Sequence, residues 1–172
     1  MLASGSLISA CNGQIGNELA ASNQYVAIAG HFDAVGLAGL ARFFYRQADE
    51  EREHAMKFVR FILDAGGPLE IPEVPAPRSG FAGAAEAVQL ALDSEQRVTR
   101  QIYDLVELAR KEENYIALRF LDWFVEEQFE EVTSMGELLQ VVERAGEDRL
   151  LSVEEFLQRE GKLPAALSPE HP

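Results

Sequence analysis

Residues 37–65 read LAGLARFFYRQADEEREHAMKFVRFILDA. Stepping by threes and fours from Leu37 picks out Leu40, Phe44, Gln47, Glu51, His54, Phe58, Phe61 and Ala65. An α-helix turns once every 3.6 residues, so these side chains share one face. That face is apolar at both ends and ionisable in the middle. An apolar stripe of this length has to be buried against neighbours, which predicts a long helix within a bundle. Glu51 and His54 predict that the interior of the bundle also carries charge.

The same stepping finds three more stripes. The first helix is expected from about Ser6 to Phe32, with Ile8, Cys11, Ile15, Glu18, Ser22, Tyr25, Ala29 and Phe32 facing inward. The third follows Gly83 with Ala84, Val88, Ala91, Glu95, Val98, Ile102, Leu105 and Ala109. The fourth carries Ala117, Leu121, Phe124, Gln128, Glu131, Met135, Leu138 and Val142. Gly36 marks the first turn, Gly66-Gly67-Pro68 ends the second helix after Ala65, and residues 111–114 join the third helix to the fourth.

Between Gly66 and about Ala82 the chain holds prolines at 68, 72, 75 and 77, so it should run extended. Such a segment reaches roughly 50 Å at ~3.3 Å per residue. The second helix is on the order of 40 Å long at 1.5 Å per residue. The link can therefore travel the length of the bundle, which a plain up-down-up-down bundle would not require. After Gly146 a short fifth helix is expected from about Ser152 to Gln158, with Ser152-Val153-Glu154-Glu155 resembling a capping box. The expected fold is all-α: a left-handed four-helix bundle with one long crossover. It forms a single domain over 1–172, its core spanning about 6–160, with a disordered tail at 168–172.

Composition narrows the function. With 47% hydrophobic residues but no apolar run near 18, nothing is expected to span a membrane. A net charge of −14 speaks against a nucleic-acid partner, which requires a positive face. The acidity reads plainly as surface solubility, or more sharply as cation handling, and placement has to decide. The lone Cys11 cannot form an internal disulfide, which favours a reducing, cytoplasmic setting. Ile8-Ser9-Ala10-Cys11 imitates a lipidation site. Yet residues 1–10 contain no Lys or Arg, and Cys11 fits the first stripe as a buried thiol.

Placement is where the sequence becomes specific. Each stripe is apolar except near its middle, where Glu18, Glu51, His54, Glu95, Gln128 and Glu131 occupy core positions. Lone buried carboxylates cost several kcal/mol unless paired or metal-bound, on the order of the desolvation of each ion. No Lys or Arg lies on any stripe to compensate them. Two divalent cations would balance the four glutamates; a protonated carboxyl–amide network is the alternative. Glu51-x-x-His54 sets a carboxylate and an imidazole one turn apart, suited to one metal. Oxygen-rich ligation with one nitrogen suits Fe(II) or Mn(II) and leaves Zn(II) open.

At these residues the chain resembles the ferritin family, from about residue 6 to 160. The motifs are Asn17-Glu18, Gln24-Tyr25, the run Ala48-Asp49-Glu50-Glu51-Arg52-Glu53-His54-Ala55, Glu95, and Trp123-Phe124-Val125-Glu126-Glu127-Gln128-Phe129-Glu130-Glu131. The likeness is to bacterial non-haem ferritins. It implies a homo-oligomeric twenty-four-subunit shell and an iron-storing ferroxidase that oxidises Fe(II) with O2 or peroxide and deposits ferric oxide inside. It also implies that Glu18, Glu51, His54 and Glu95 bind a first iron. Glu51 and Glu95 would be shared with a second iron, completed by Gln128 and Glu131. Glu50, Glu127 and Glu130 resemble an additional inner-surface iron site, or else form a solvated acidic flank. Tyr25 resembles the family tyrosine read as an electron donor, or is equally a packed aromatic.

The pattern departs from bacterioferritins, in which a second Glu-x-x-His stands where this chain has Gln128-x-x-Glu131. Arg52 stands where those proteins ligate haem with methionine. Both departures imply a centre without haem and a second iron held less firmly. Trp123 is expected in the core, His31 at a surface or interface, and His171 in the tail. The rival enzymatic reading is a soluble di-iron oxidase or peroxidase that stores no mineral; a structural subunit with a degenerate centre is the non-enzymatic one.

Overall fold

In the computed structural model, which describes residues 2–161, the chain forms α1 (Gly5–Ala34), α2 (Ala38–Asp64), α3 (Ala84–Lys111) and α4 (Tyr115–Ala145). A single 3-10 turn (Glu147–Arg149) then leads into α5 (Leu150–Arg159). No strand is present among the described residues. The expected tail at 168–172, with His171, lies outside them. Side chains start two of the long helices. Ser4 Oγ accepts from Leu7 N at 3.0 Å to open α1, and Asn114 Oδ1 accepts from Ala117 N at 3.0 Å to open α4.

Contacts along α1 trace the crossover. Asn12 donates from Nδ2 to Pro68 O (3.0 Å) and accepts from Glu70 N (2.9 Å). Gln24 repeats the grip, donating to Arg78 O (2.8 Å) and accepting from Arg78 N (2.9 Å). Between them Pro72 passes over Gly16, where a Cβ would sit 2.5 Å from Pro72 Cγ. The extended link thus follows α1 from its start to its end, and Phe81 meets His31 there at 5.2 Å between ring centroids. From that end α3 returns, and the α3–α4 turn closes on the N-terminus through Asn114 Nδ2→Leu2 O (3.0 Å) and Ser4 Oγ→Glu112 Oε1 (2.7 Å). The full-length crossover read from the prolines is what forms.

Two helices lack a side-chain cap of their own and borrow one. Glu154 on α5 accepts at Oε1 from Gly39 N (2.6 Å) and Leu40 N (3.1 Å), closing the start of α2. Glu147 accepts from Ala84 N (2.8 Å) at the start of α3. Each carboxylate answers the positive end of a helix dipole. This corrects the expected capping box: α5 begins at Leu150, Ser152 Oγ donates backward to Arg149 O at 2.6 Å, and Glu154 serves another helix.

The stripe residues are buried, apart from Phe61, which is partly buried and stacks on Phe120. Cys11 lies in the core, and burial pushes its thiol up to about 12, as expected of an inert structural cysteine. No helix among the described residues is long and apolar enough to cross a membrane. The apolar core comes in two blocks. One gathers Tyr25, Phe32, Phe44, Val88, Met135 and Val153. The other gathers Ile8, Ile15, Phe58, Ile102, Leu121 and Phe124. The ionisable residues form the layer between them.

Candidate metal centre

Glu18 on α1, Glu51 and His54 on α2, Glu95 on α3, and Gln128 and Glu131 on α4 are all buried, none more than 6% exposed. Heptad packing dictates this, because each occupies a core register of its helix. The structure brings them together in unequal ways. Single oxygens of Glu18 and Glu51 and a ring nitrogen of His54 lie within 4.8 Å of one another. His54 Nδ1 is 3.4 Å from Glu51 Oε2. Glu18 Oε2, both oxygens of Glu51 and His54 Nδ1 are buried and have no hydrogen-bond partner. Buried polar atoms are almost always satisfied, so unpartnered atoms on three residues that cluster this closely fit a cation site.

Glu95 is different, since both its oxygens are engaged. Tyr25 OH donates to Oε1, while Gln128 Nε2 donates to Oε2 at 3.2 Å. Gln128 also reaches Thr99 Oγ1 at 3.2 Å. Tyr25 is therefore a hydrogen-bonding core aromatic beside the centre. Glu131 lies close enough to feel the Glu95 charge. It also groups with His54 and Glu127, each offering one atom within 4.8 Å of the others. His54 thus faces two ways, with Nε2 3.8 Å from Glu127 Oε1.

Electrostatics follow from this crowding. Burial pushes Glu18 up to about 7, against the pull of its hydrogen bonds with the Glu51 carboxyl and the Gln14 amide. Glu51 rises well above the usual carboxylate range through burial and the charges of Glu95 and Glu18. Burial, then Glu95, Glu50 and Glu127, carries Glu131 up to about 9. Burial raises Glu95 as well, and burial with the nearby Glu95 charge raises Tyr25. Burial and the Lys57 cation lower His54 to about 4, leaving a neutral imidazole at pH 7 with a lone pair to give. Neutral imidazole and carboxylates that resist ionising without a counter-charge are what a cation site requires.

On the flank, Glu50, Glu127 and Glu130 line a cavity of about 150 Å³ with Arg46, Gln47 and Glu131. Burial raises both Glu50 and Glu127, Arg46 pairs with Glu50 at 3.4 Å, and Gln47 donates to Glu50. Trp123 corrects the sequence expectation. It is 37% exposed, with Lys57 Nζ 4.3 Å from its ring centroid and His54 edge-on at 5.4 Å. The stripes also passed over Gln14, which is buried and donates to Glu18 Oε1 at 2.9 Å. Its position one turn before Glu18 is the signal that could have found it.

Comparison with known proteins agrees with this arrangement. The family model described as a ferritin-like domain matches residues 8–145. Ferritin BfrB of Mycobacterium tuberculosis is 45% identical over 159 residues, covering 92% of this chain and 87% of that protein. A bacterial non-heme ferritin of Staphylococcus aureus is 37% identical over 142 residues, covering 83% and 86%. Among solved structures, an open pore ferritin from Archaeoglobus fulgidus superposes with a TM-score of 0.88 at 32% identity, covering 95% of this chain and 99% of that one. A bundle with a full-length crossover, a carboxylate layer splitting its core and these relatives together place the chain in the ferritin family.

Proposed function

We propose that the protein is an iron-storage ferroxidase, which binds Fe(II) in the carboxylate layer, oxidises it and deposits ferric oxide inside a protein shell. The observation that carries this reading is the set of buried, unpartnered ligand atoms on Glu18, Glu51 and His54. These three residues, whose ligand atoms lie within 4.8 Å of one another, receive the first iron. Glu95 joins them once it exchanges its Tyr25 and Gln128 hydrogen bonds for metal, and shares the second iron with Glu51. Gln128 and Glu131 complete that second position. Each Fe(II) gives up one electron; O2 takes two, with two protons, and leaves as hydrogen peroxide. Peroxide as oxidant takes two electrons and two protons and leaves as two waters.

Around this centre, Glu50, Glu127 and Glu130 form the third iron position, supported by the cavity that they line with Glu131. Tyr25 is the electron donor in this reading, supported by its hydroxyl donating to Glu95. The single domain assembles as a homo-oligomer, with twenty-four subunits in the family pattern. Exposed apolar side chains such as Phe129 and Tyr115, each 75% exposed, support burial between copies. A buried lone thiol and the lack of a membrane-crossing helix among the described residues support a cytoplasmic setting.

The test adds Fe(II) in air to iron-free assembled protein while following oxidation and iron retention together. A fast phase near about two irons per chain, followed by continued loading, is expected of a di-iron bundle that stores mineral. Oxidation no faster than in buffer would remove the ferroxidase reading. Retention that stops at the fast phase would favour a di-iron oxidase without storage.

A further inference from the structure

The hydrogen bonds behind Glu18 point to a residue outside the ligand set. Gln14 lies one turn before Glu18 on α1, is 2% exposed, and donates from Nε2 to Glu18 Oε1 at 2.9 Å. Its own carbonyl oxygen accepts from Asn17 Nδ2 at 3.0 Å. The other oxygen, Glu18 Oε2, is buried and has no hydrogen-bond partner. The two oxygens of one carboxylate are therefore unequal before any cation arrives.

We propose that Gln14 is a positioning residue: its amide occupies Glu18 Oε1, so that Glu18 presents only Oε2 to Fe(II) as a single-oxygen terminal ligand, and Asn17 holds that amide in its donating orientation. The role rests on the reading of Glu18 as an iron ligand. A primary amide can turn end for end, and a turned Gln14 would set its carbonyl oxygen against a carboxylate oxygen, two acceptors facing each other. Asn17 disfavours the turn, because the Gln14 carbonyl would lose the hydrogen bond that Asn17 donates to it. The spacings Gln14–Asn17 and Gln14–Glu18 are three and four residues, so all three side chains lie on neighbouring positions of one helix and move with it. A carboxylate with both oxygens free could chelate one cation through both or swing toward Glu51. Glu51 has no such amide holder: no N–H donor reaches its oxygens, and its contacts are with the carboxyls of Glu18 and Glu95, which suits a ligand shared between two irons. Gln14 thus separates a fixed terminal ligand from a mobile shared one.

Gln14→Met keeps side-chain length and removes the donor. Assembled iron-free protein would be titrated anaerobically with Fe(II), and separately with Co(II), whose visible bands report coordination number. Loss of an outer hydrogen bond to a ligand is expected to weaken the first metal by about tenfold. The Co(II) bands should change intensity as Glu18 goes from one bound oxygen to two, while the oxidation rate at saturating iron falls far less than the affinity. Asn17→Ala leaves the donor but frees it to turn, and is expected to weaken the first metal by about threefold with a spectral change in the same direction. Unchanged affinity and spectrum in assembled Gln14→Met overturns the proposal, even if that variant is less stable. Should Gln14→Met fail to assemble, Asn17→Ala decides by the same two readouts. Wild-type protein that binds neither Fe(II) nor Co(II) overturns the ligand reading underneath, whereas wild-type binding with identical variants overturns only the positioning role.

Discussion

Glu51 is the residue on which stability and function pull apart. It is 1% exposed, no N–H donor reaches its oxygens, and the Glu95 and Glu18 charges crowd it, so the metal-free fold carries it at a cost. Glu51→Gln replaces it with an amide of the same size that can donate to Glu18 or Glu95. At alkaline pH the metal-free variant is expected to be more stable than wild type by about 1–3 kcal/mol. Its fast oxidation phase should slow on the order of 100-fold, since a shared ligand is lost. Chemical denaturation and stopped-flow absorbance check the two halves, and a variant both less stable and equally fast contradicts the account. The same crowding sets a pH dependence. The folded chain keeps protons on Glu18 to about pH 7 and on Glu131 to about 9, whereas the unfolded chain releases them near 4.5. That contribution is whole below pH 4.5 and is lost as pH rises through 7 and then 9. His54 runs the other way: lowered to about 4 from 6.5, its contribution is whole above 6.5 and lost as pH falls through 4. From pH 6.5 to 9 only the carboxylates act, so melting of metal-free protein should fall across that window, and a flat or rising midpoint counts against it. Every residue of the ionisable layer was legible as a polar interruption of an apolar stripe. Gln14 was not, because it flanks the stripe and only its partner reveals it. Trp123 misled because a large aromatic beside a stripe reads as core, while here Lys57 covers its outer face.

At the scale of elements, the crossover depends on small residues and amides of α1. Gly16→Ala would drive a methyl into Pro72, and about 1–3 kcal/mol of destabilisation is expected from such overpacking, read by thermal melting. Glu154→Ala removes the acceptor at the start of α2 and should cost about 1 kcal/mol, the usual loss of a helix cap. An unchanged melting midpoint in either variant would show that the contact contributes nothing. The helix count, the glycine stops and the long link were readable from period and proline spacing, since those signals are local. The caps of α2 and α3 were not. Their donors lie on one element and their acceptors on another, so Glu154 looked like part of its own helix's start.

For the whole molecule, the single chain is a rod whose core is cut by a polar layer, with apolar side chains left on its surface. Sedimentation of the iron-free protein should give one large species, and a monomer at micromolar concentration would contradict shell assembly. Shell symmetry was not legible from the heptads, because they encode only what faces inward within one subunit. What they do encode is the depth at which Glu18, Glu51, His54, Glu95, Gln128 and Glu131 meet, and the fold places all six in the layer between the two apolar blocks. Anomalous diffraction at the iron edge from crystals soaked anaerobically in Fe(II) tests that claim most directly. The account predicts a strong peak between Glu18, Glu51 and His54, with a weaker one toward Gln128 and Glu131. Peaks confined to surface carboxylates, with none inside the bundle, would contradict it.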